Sequence, residues 1–230
     1  MSDGGHDGRR PAILAIDTAT TRVVIATGSP DGTADGVSTW VAGYRHGETL
    51  LPSIGRILGE QNVRRSRLRG IVVGTGPGAF TGLRVGMATA KGLAHGLGIP
   101  LVGVSTGEAL LAAATAAAGG DVLLLPAGPS DRVLVRAGAA PRLLPGGTDP
   151  ALAPGEVLLA VDLEDRAPAD ALVRGEAARD GLGAALLRLG AVALRADPAG
   201  VLATLVPEYV TLPRGAQPTD GTVEWSRDPR

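Results

Sequence analysis

Residues 74–97 read GTGPGAFTGLRVGMATAKGLAHGL. Gly74, Gly76 and Gly78 join the short apolar run Ile71–Val73 to a helical pattern from about Thr81 to Leu97. A strand, a glycine loop and a helix start leave N–H groups free, which suits an anion. The spacing is not that of a Walker A loop, which needs Gly-Lys-Ser/Thr, and Pro77 interrupts any GxGxxG pattern. A phosphate cradle and a purely structural turn both fit, and the turn is favoured. Within the helix, Gly82, Gly86, Ala90 and Ala94 recur at every fourth position as a stripe of small side chains. Phe80, Leu83, Met87 and Leu97 form an apolar strip beside it, while Arg84, Lys91 and His95 lie on a third face. Such a stripe packs either on the protein's own sheet or on a helix of another chain.

The segment before it, Glu48–Asn62, places Leu50, Leu51, Ile54, Ile57 and Leu58 at helical spacing. Leu50 and Leu51 cannot share one face, which favours a partner helix. Pro52 fits only in a first turn. Ahead of these helices, Ala12–Asp17, Arg22–Thr27 and Gly36–Gly43 read as a three-stranded antiparallel meander. Leu101–Val104 is a further strand. Ser105-Thr106-Gly107-Glu108 has capping-box spacing for a helix reaching about Ala118. Beyond Gly119, Asp121–Leu125 and Arg132–Arg136 form a hairpin around AGPS, Glu156–Val161 is a strand, and Glu176–Leu189 is a helix weakened by Gly181 and Gly183. Strands alternating with helices after a meander define an α/β domain with a mixed sheet. The expected organisation is a disordered tail over 1–10, a first lobe over 11–105 and a second, degenerate lobe over 106–200. A segment over 201–212 returns to the first lobe, and a disordered tail covers 213–230. There is no short tandem repeat.

Composition narrows the function. The chain has 230 residues, of which 44% are hydrophobic and 2% aromatic, so its core is built from Ala, Val, Leu and Ile. The net charge of -1 speaks against a protein that grips RNA by itself, because phosphate neutralisation dominates such binding. The absence of cysteine removes disulfides, thiolate metal sites and a Cys nucleophile. No apolar stretch approaches the ~18 residues of a membrane span, and the N-terminus has no apolar signal region. The expectation is a soluble, cytoplasmic protein.

Catalytic constellations are hard to find. His6, His46 and His95 form no HxxxH pair, and neither HExxH nor Gly-x-Ser-x-Gly occurs. Asp162, Glu164 and Asp165 read as a solvated loop. Asp17 and Thr18 could hold metal-phosphate at the end of the first strand, but no glycine follows, and satisfying turn N–H groups is the favoured role. No catalytic residue and no metal ligand is assigned.

The run GTGPGAFTGLRVGMATAKGLAHGLGIPLVGVST resembles the signature region of the TsaB (YeaZ) family. ILAIDTATT and HGETLLPSI are similar to the family's other landmarks in order and spacing, and PEYV at Pro207–Val210 resembles a C-terminal one. Ala79 replaces a frequent Ser, and Pro126-Ala127-Gly128 stands where the family often has Asp-Ala-Arg before aromatics. The resemblance implies the actin-like (ASKHA, ribonuclease H-like) fold, with two lobes of mixed sheets flanked by helices. It also implies a non-catalytic subunit that binds and activates the catalytic TsaD. With the ATPase TsaE, the complex transfers threonylcarbamoyl to the adenosine next to the anticodon, and tRNA meets this chain only through that complex.

By the same resemblance, the helices over 48–59 and 80–94 supply the partner interface through His46, Leu50, Ile54, Leu58, Phe80, Leu83, Gly86, Met87 and Ala90. Alone, these helices are expected to close a homodimer, and Gly86→Leu to break partner binding without unfolding the chain. No tightly held cofactor is expected. ATP or ADP is left a place at the complex interface, with Asp17, Thr18, Gly76 and Gly78 as nucleotide contacts. Two alternatives are a stand-alone actin-like ATPase or small-molecule kinase, and a homodimeric interaction module unconnected with RNA.

Overall fold

In a computed structural model, the structure describes residues 10–41, 46–114 and 120–210, without the side chains of 46 and 47. The meander is present as β1 (Ala12–Asp17), β2 (Arg22–Gly28) and β3 (Ala34–Val41). It is followed by α1 (His46–Glu60), a 3-10 turn at Arg65–Arg67, β4 (Leu68–Gly74), α2 (Phe80–Leu97), β5 (Leu101–Val104) and α3 (Thr106–Ala113). The second half runs β6 (Asp121–Pro126), β7 (Arg132–Arg136), β8 (Arg142–Leu144), β9 (Val157–Ala160), α4 (Ala169–Asp180) and α5 (Leu182–Ala196).

The first sheet has the order β3-β2-β1-β4-β5, antiparallel across the meander and parallel from β1 through β4 to β5. The second has the order β8-β7-β6-β9, with β6 and β9 parallel and the rest antiparallel. Each sheet thus contains a three-stranded meander with a parallel strand beside its first strand, and the first sheet adds β5 beyond it. This shared plan is invisible as a sequence repeat, because it lies in pairing order and not in side chains.

β1, β2, β4 and β5 of the first sheet are buried on both faces, so they read as continuous apolar runs, while the edge strand β3 is not. One face, with Leu14, Ile16, Ile25, Ile71 and Val73, packs on α1 and α2. The other face, with Ile13, Ala15, Val24 and Val72, shares a core with Leu123, Leu125, Val133 and Val135 of the second sheet and with Leu182, Leu186 and Leu187 of α5. Each fully buried Leu or Ile contributes roughly 1.5–3 kcal/mol. A third cluster, with Val122, Leu124, Leu134 and Ala171, fills the outer face of the second sheet.

Several boundaries move. α1 starts at His46, so Pro52 sits inside the helix and not in its first turn. It is tolerated on the solvent side, at the loss of one helical hydrogen bond. The helix expected over 176–189 is two helices broken at Gly181, the first starting at Ala169. α5 lies against the first sheet. The short strand β8 has no sequence signal beyond Leu143 and Leu144. Only half of the capping box forms. The Ser105 hydroxyl accepts from the Glu108 N–H at 3.4 Å, but the Glu108 carboxylate accepts from the Gly138 N–H at 2.8 Å instead of reaching back. Of the tails expected over 1–10 and 213–230, all but Arg10 lie outside the described residues.

Candidate functional site

The glycine loop is built around Asp17, at the end of β1. This carboxylate is fully buried. Its Oδ2 accepts from the Thr106 hydroxyl at 2.6 Å and its Oδ1 from the Ala19 N–H at 2.9 Å. Burial pushes its pKa up to about 6 against these two bonds, and Asp162 nearby adds to the rise. Gly74 faces it directly. A Cβ at Gly74 would lie 1.8 Å from Asp17 Oδ2, so only glycine fits there.

Several of the loop's polar groups bond inside the chain. The Gly76 N–H donates to Thr106 Oγ1 at 3.1 Å, and the Gly76 carbonyl accepts from the Ser105 hydroxyl at 3.1 Å and the Gly107 N–H at 3.3 Å. Ala79 N–H donates to the Ala19 carbonyl at 2.7 Å, which presses Gly78 against the β1–β2 turn. Thr18 Oγ1 donates to the Gly82 carbonyl at 2.7 Å. Asp17, Thr18, Gly76 and Gly78, expected as nucleotide contacts, thus tie one turn of the chain to another. This arrangement is the structural-turn reading of the loop.

The small stripe of α2 faces inward. Gly82, Gly86, Ala90 and Ala94 are buried, and a Cβ at Gly86 would lie 2.1 Å from Thr18 Oγ1. Leu50, Ile54, Leu58, Leu83 and Met87 are buried as well, at 1–5% exposure. These positions, expected at a partner interface, are core of this chain, because α1 and α2 turn their apolar faces to the sheet beneath. His46's side chain lies outside those described. Phe80 alone of the expected set is half-exposed.

Phe80 belongs to a cluster that sequence reasoning did not assemble. The Arg84 guanidinium lies 3.8 Å over its ring, Tyr209 packs 5.1 Å from it, and Arg84 Nε donates to the Tyr209 hydroxyl at 3.2 Å. The Glu208 N–H donates to the Thr75 carbonyl at 2.7 Å, so Pro207–Val210 straps the loop. Partial burial holds the Glu208 carboxyl above its usual range. The only signal was PEYV as a landmark, with nothing to say what it touches.

Asp162 also departs from expectation. It is not a solvated loop residue. It is buried, it accepts from the Thr21 N–H at 2.7 Å and the Thr21 hydroxyl at 2.6 Å, and it pairs with Arg179 at 3.0 Å. This network joins the β1–β2 turn to the second sheet. Glu164 and Asp165 remain exposed. Among the described residues no three of His, Asp and Glu converge on a metal position, and no helix is long and apolar enough to cross a membrane.

Two meander-plus-parallel sheets around a shared core define an α/β protein of the actin-like (ASKHA) class. The solved structure of YeaZ from Pseudomonas aeruginosa superposes with a TM-score of 0.68 at 23% identity, covering 87% of this chain and all of that one. The family model TsaD, tRNA N6-adenosine threonylcarbamoyltransferase, matches residues 7–162. The chain belongs to that family, and its relatives there include the TsaB (YeaZ) proteins. TsaB of Escherichia coli is 38% identical over 94 residues, 41% of this chain and 40% of that protein. An uncharacterised protein of Mycobacterium leprae is 43% identical over 103 residues, 43% of this chain and 28% of that protein. The chain spans less than half the length of the curated relatives it matches.

Proposed function

We propose that this chain is a non-catalytic partner subunit in the synthesis of threonylcarbamoyladenosine in tRNA, and that it docks on and activates TsaD. The observation that carries the reading is the outer face of α1 and α2. Gly55 and Gly59 on α1, and Gly92 and Gly96 on α2, have nothing within 4 Å of the position a Cβ would take. Helical glycine costs about 1 kcal/mol against alanine, and no packing among the described residues accounts for these four. Leu51, half-exposed at 53%, lies on the same side of α1. A smooth face of this kind lets the backbone of a second helix pair approach closely. An interface of standard size, roughly 1,600 Å², is within reach of two such helices. The names of the TsaB relatives supply the process.

The interface therefore moves from the inner residues to the outer ones, with Phe80 and Arg84 at one end. Without TsaD, the same face closes on a second copy. TsaE joins the complex, tRNA is held mainly by the other subunits, as a net charge of -1 suits, and the setting is cytoplasmic. Any ATP or ADP belongs at the subunit junction. The test is reconstitution of TsaD, TsaE, the threonylcarbamoyl adenylate and tRNA with and without this chain. Modification should depend on the chain, and a Gly92→Leu variant with native circular dichroism should fail to co-purify with TsaD. Full modification in its absence would remove the proposal.

A further inference from the structure

At one end of the second sheet, the β6–β7 turn, the loop after β8 and the loop after β9 border an open cavity of about 570 Å³ lined by Ser130, Arg132, Gly146, Gly147, Asp149 and Arg166. Arg132 is buried, only 8% exposed. Its Nη1 donates to the Arg166 carbonyl at 3.2 Å, and its Nη2 donates to the Thr148 carbonyl. Arg166 Nη1 donates to the carbonyls of Gly128 and Pro129, both at 3.0 Å, and its Nη2 reaches the Asp162 carbonyl at 3.5 Å. Both guanidiniums are therefore held in place by neutral oxygens.

Neither makes an ion pair among the described residues. Most of the other arginines that are buried or half-buried behave differently, Arg67 excepted. Arg179 pairs with Asp162 and Glu176, Arg136 with Glu156, and Arg22 with Glu176. The acids near the cavity do not compensate. Asp131 Oδ1 is engaged by the Gly146 N–H at 2.9 Å and the Ser130 hydroxyl at 3.4 Å. Asp149 is exposed and pairs with neither arginine. A cation taken out of water without a counter-charge is costly, and carbonyl oxygens leave its full charge in place. Two fixed guanidiniums on one cavity wall match the planar, forked recognition of phosphate and carboxylate oxygens. The volume lies inside the usual range for small-molecule sites, about 300–1,000 Å³.

We propose that this cavity binds a small organic anion, its phosphate or carboxylate head seated between Arg132 and Arg166 and its body against the Gly146–Gly147 loop. The site uses none of the residues of the α1–α2 face, so it stands or falls separately from the partner-subunit reading.

The experiment is calorimetric titration of the full chain with inorganic phosphate and, separately, with acetate, against chloride at matched ionic strength. Amide chemical shifts of Gly146 and Gly147 report the location. At least one anion should bind saturably, with a dissociation constant on the order of 1 mM for so small a probe, and should move those two amides. Phosphate alone, acetate alone or both binding each supports the site and identifies the head group. Arg166→Gln should weaken binding at least tenfold, and Arg132→Met likewise. Arg142→Gln, on the exposed edge of the same sheet, should leave it unchanged. If Arg132→Met does not fold, Arg166→Gln decides alone. Absence of saturable binding by either anion, or equal binding by Arg166→Gln and the parent, would overturn the proposal.

Discussion

The two sides of α2 carry small residues at the same four-residue spacing, and they do opposite things. On the inner side, Gly82, Gly86, Ala90 and Ala94 are buried, and Gly86 touches Thr18 so closely that no side chain can enter. On the outer side, Gly92 and Gly96 face open space, as do Gly55 and Gly59 on α1. The inner set lets a helix sit down on its own sheet. The outer set leaves a smooth surface that costs helix stability and gains no contact among the described residues. Spacing alone cannot separate the two cases, because both obey the same helical period. What separates them is which face of the helix the apolar strip pulls inward.

The largest expected effect is on the inner side. Gly86→Leu drives a side chain into Thr18 and the sheet, and should cost about 3 kcal/mol, the upper end of the usual overpacking range. For a domain with the usual 5–15 kcal/mol of stability, this reads as a collapsed thermal midpoint by circular dichroism. A native-like melt with lost partner binding, which the sequence reading expects, would put the stripe back at an interface.

Next is the carboxylate beneath the glycine loop. The Asp17 pKa is raised from 3.8 to about 6, chiefly by burial. Between these values the unfolded chain has released the proton and the folded one retains it. Stability therefore falls as pH rises from about 4 to about 6, by up to about 3 kcal/mol, and levels off above. Asp17→Asn should flatten that slope in urea titrations across the window. An unchanged slope would show that the charge is accommodated inside and that the inner side is less dry than its burial implies.

Smaller effects test the outer side. Gly92→Ala should stabilise the isolated chain by roughly 1 kcal/mol, since helix propensity improves and nothing is touched. A loss of stability on thermal melting would place a neighbour against it. The smallest effect is expected for Arg56→Ala, which removes an exposed pair with Glu60 at 2.7 Å and a bond to Ser38 at 2.9 Å. At the surface this is worth no more than about 0.5 kcal/mol by denaturant midpoint.

Much of the fold is legible in the sequence. The apolar runs of β1, β2, β4 and β5 announce strands because both faces of the first sheet are covered. Gly98, in the left-handed conformation at φ 63°, stops α2 where its apolar period ends. The site is less legible. Asp162 looks like a solvated acid until Thr21, 141 positions away, meets it. Thr106 looks like a helix-start residue until its hydroxyl meets Asp17 across 89 positions. Tyr209 reveals its role only when it packs, tilted, against Phe80. Each depends on a contact between distant segments, and no local pattern encodes such a contact.

The sequence by itself determined that this is a cysteine-free α/β chain with aliphatic strands, and that a glycine loop opens a helix lined with small residues. Those properties are local, set by composition and period. Only the tertiary structure decided that the loop's polar groups close on Ser105, Thr106 and Ala19, that the small stripe belongs to the core, and that the open glycines lie on the other side. Which face of a helix is buried depends on what it is docked against, and that partner is far away in the chain.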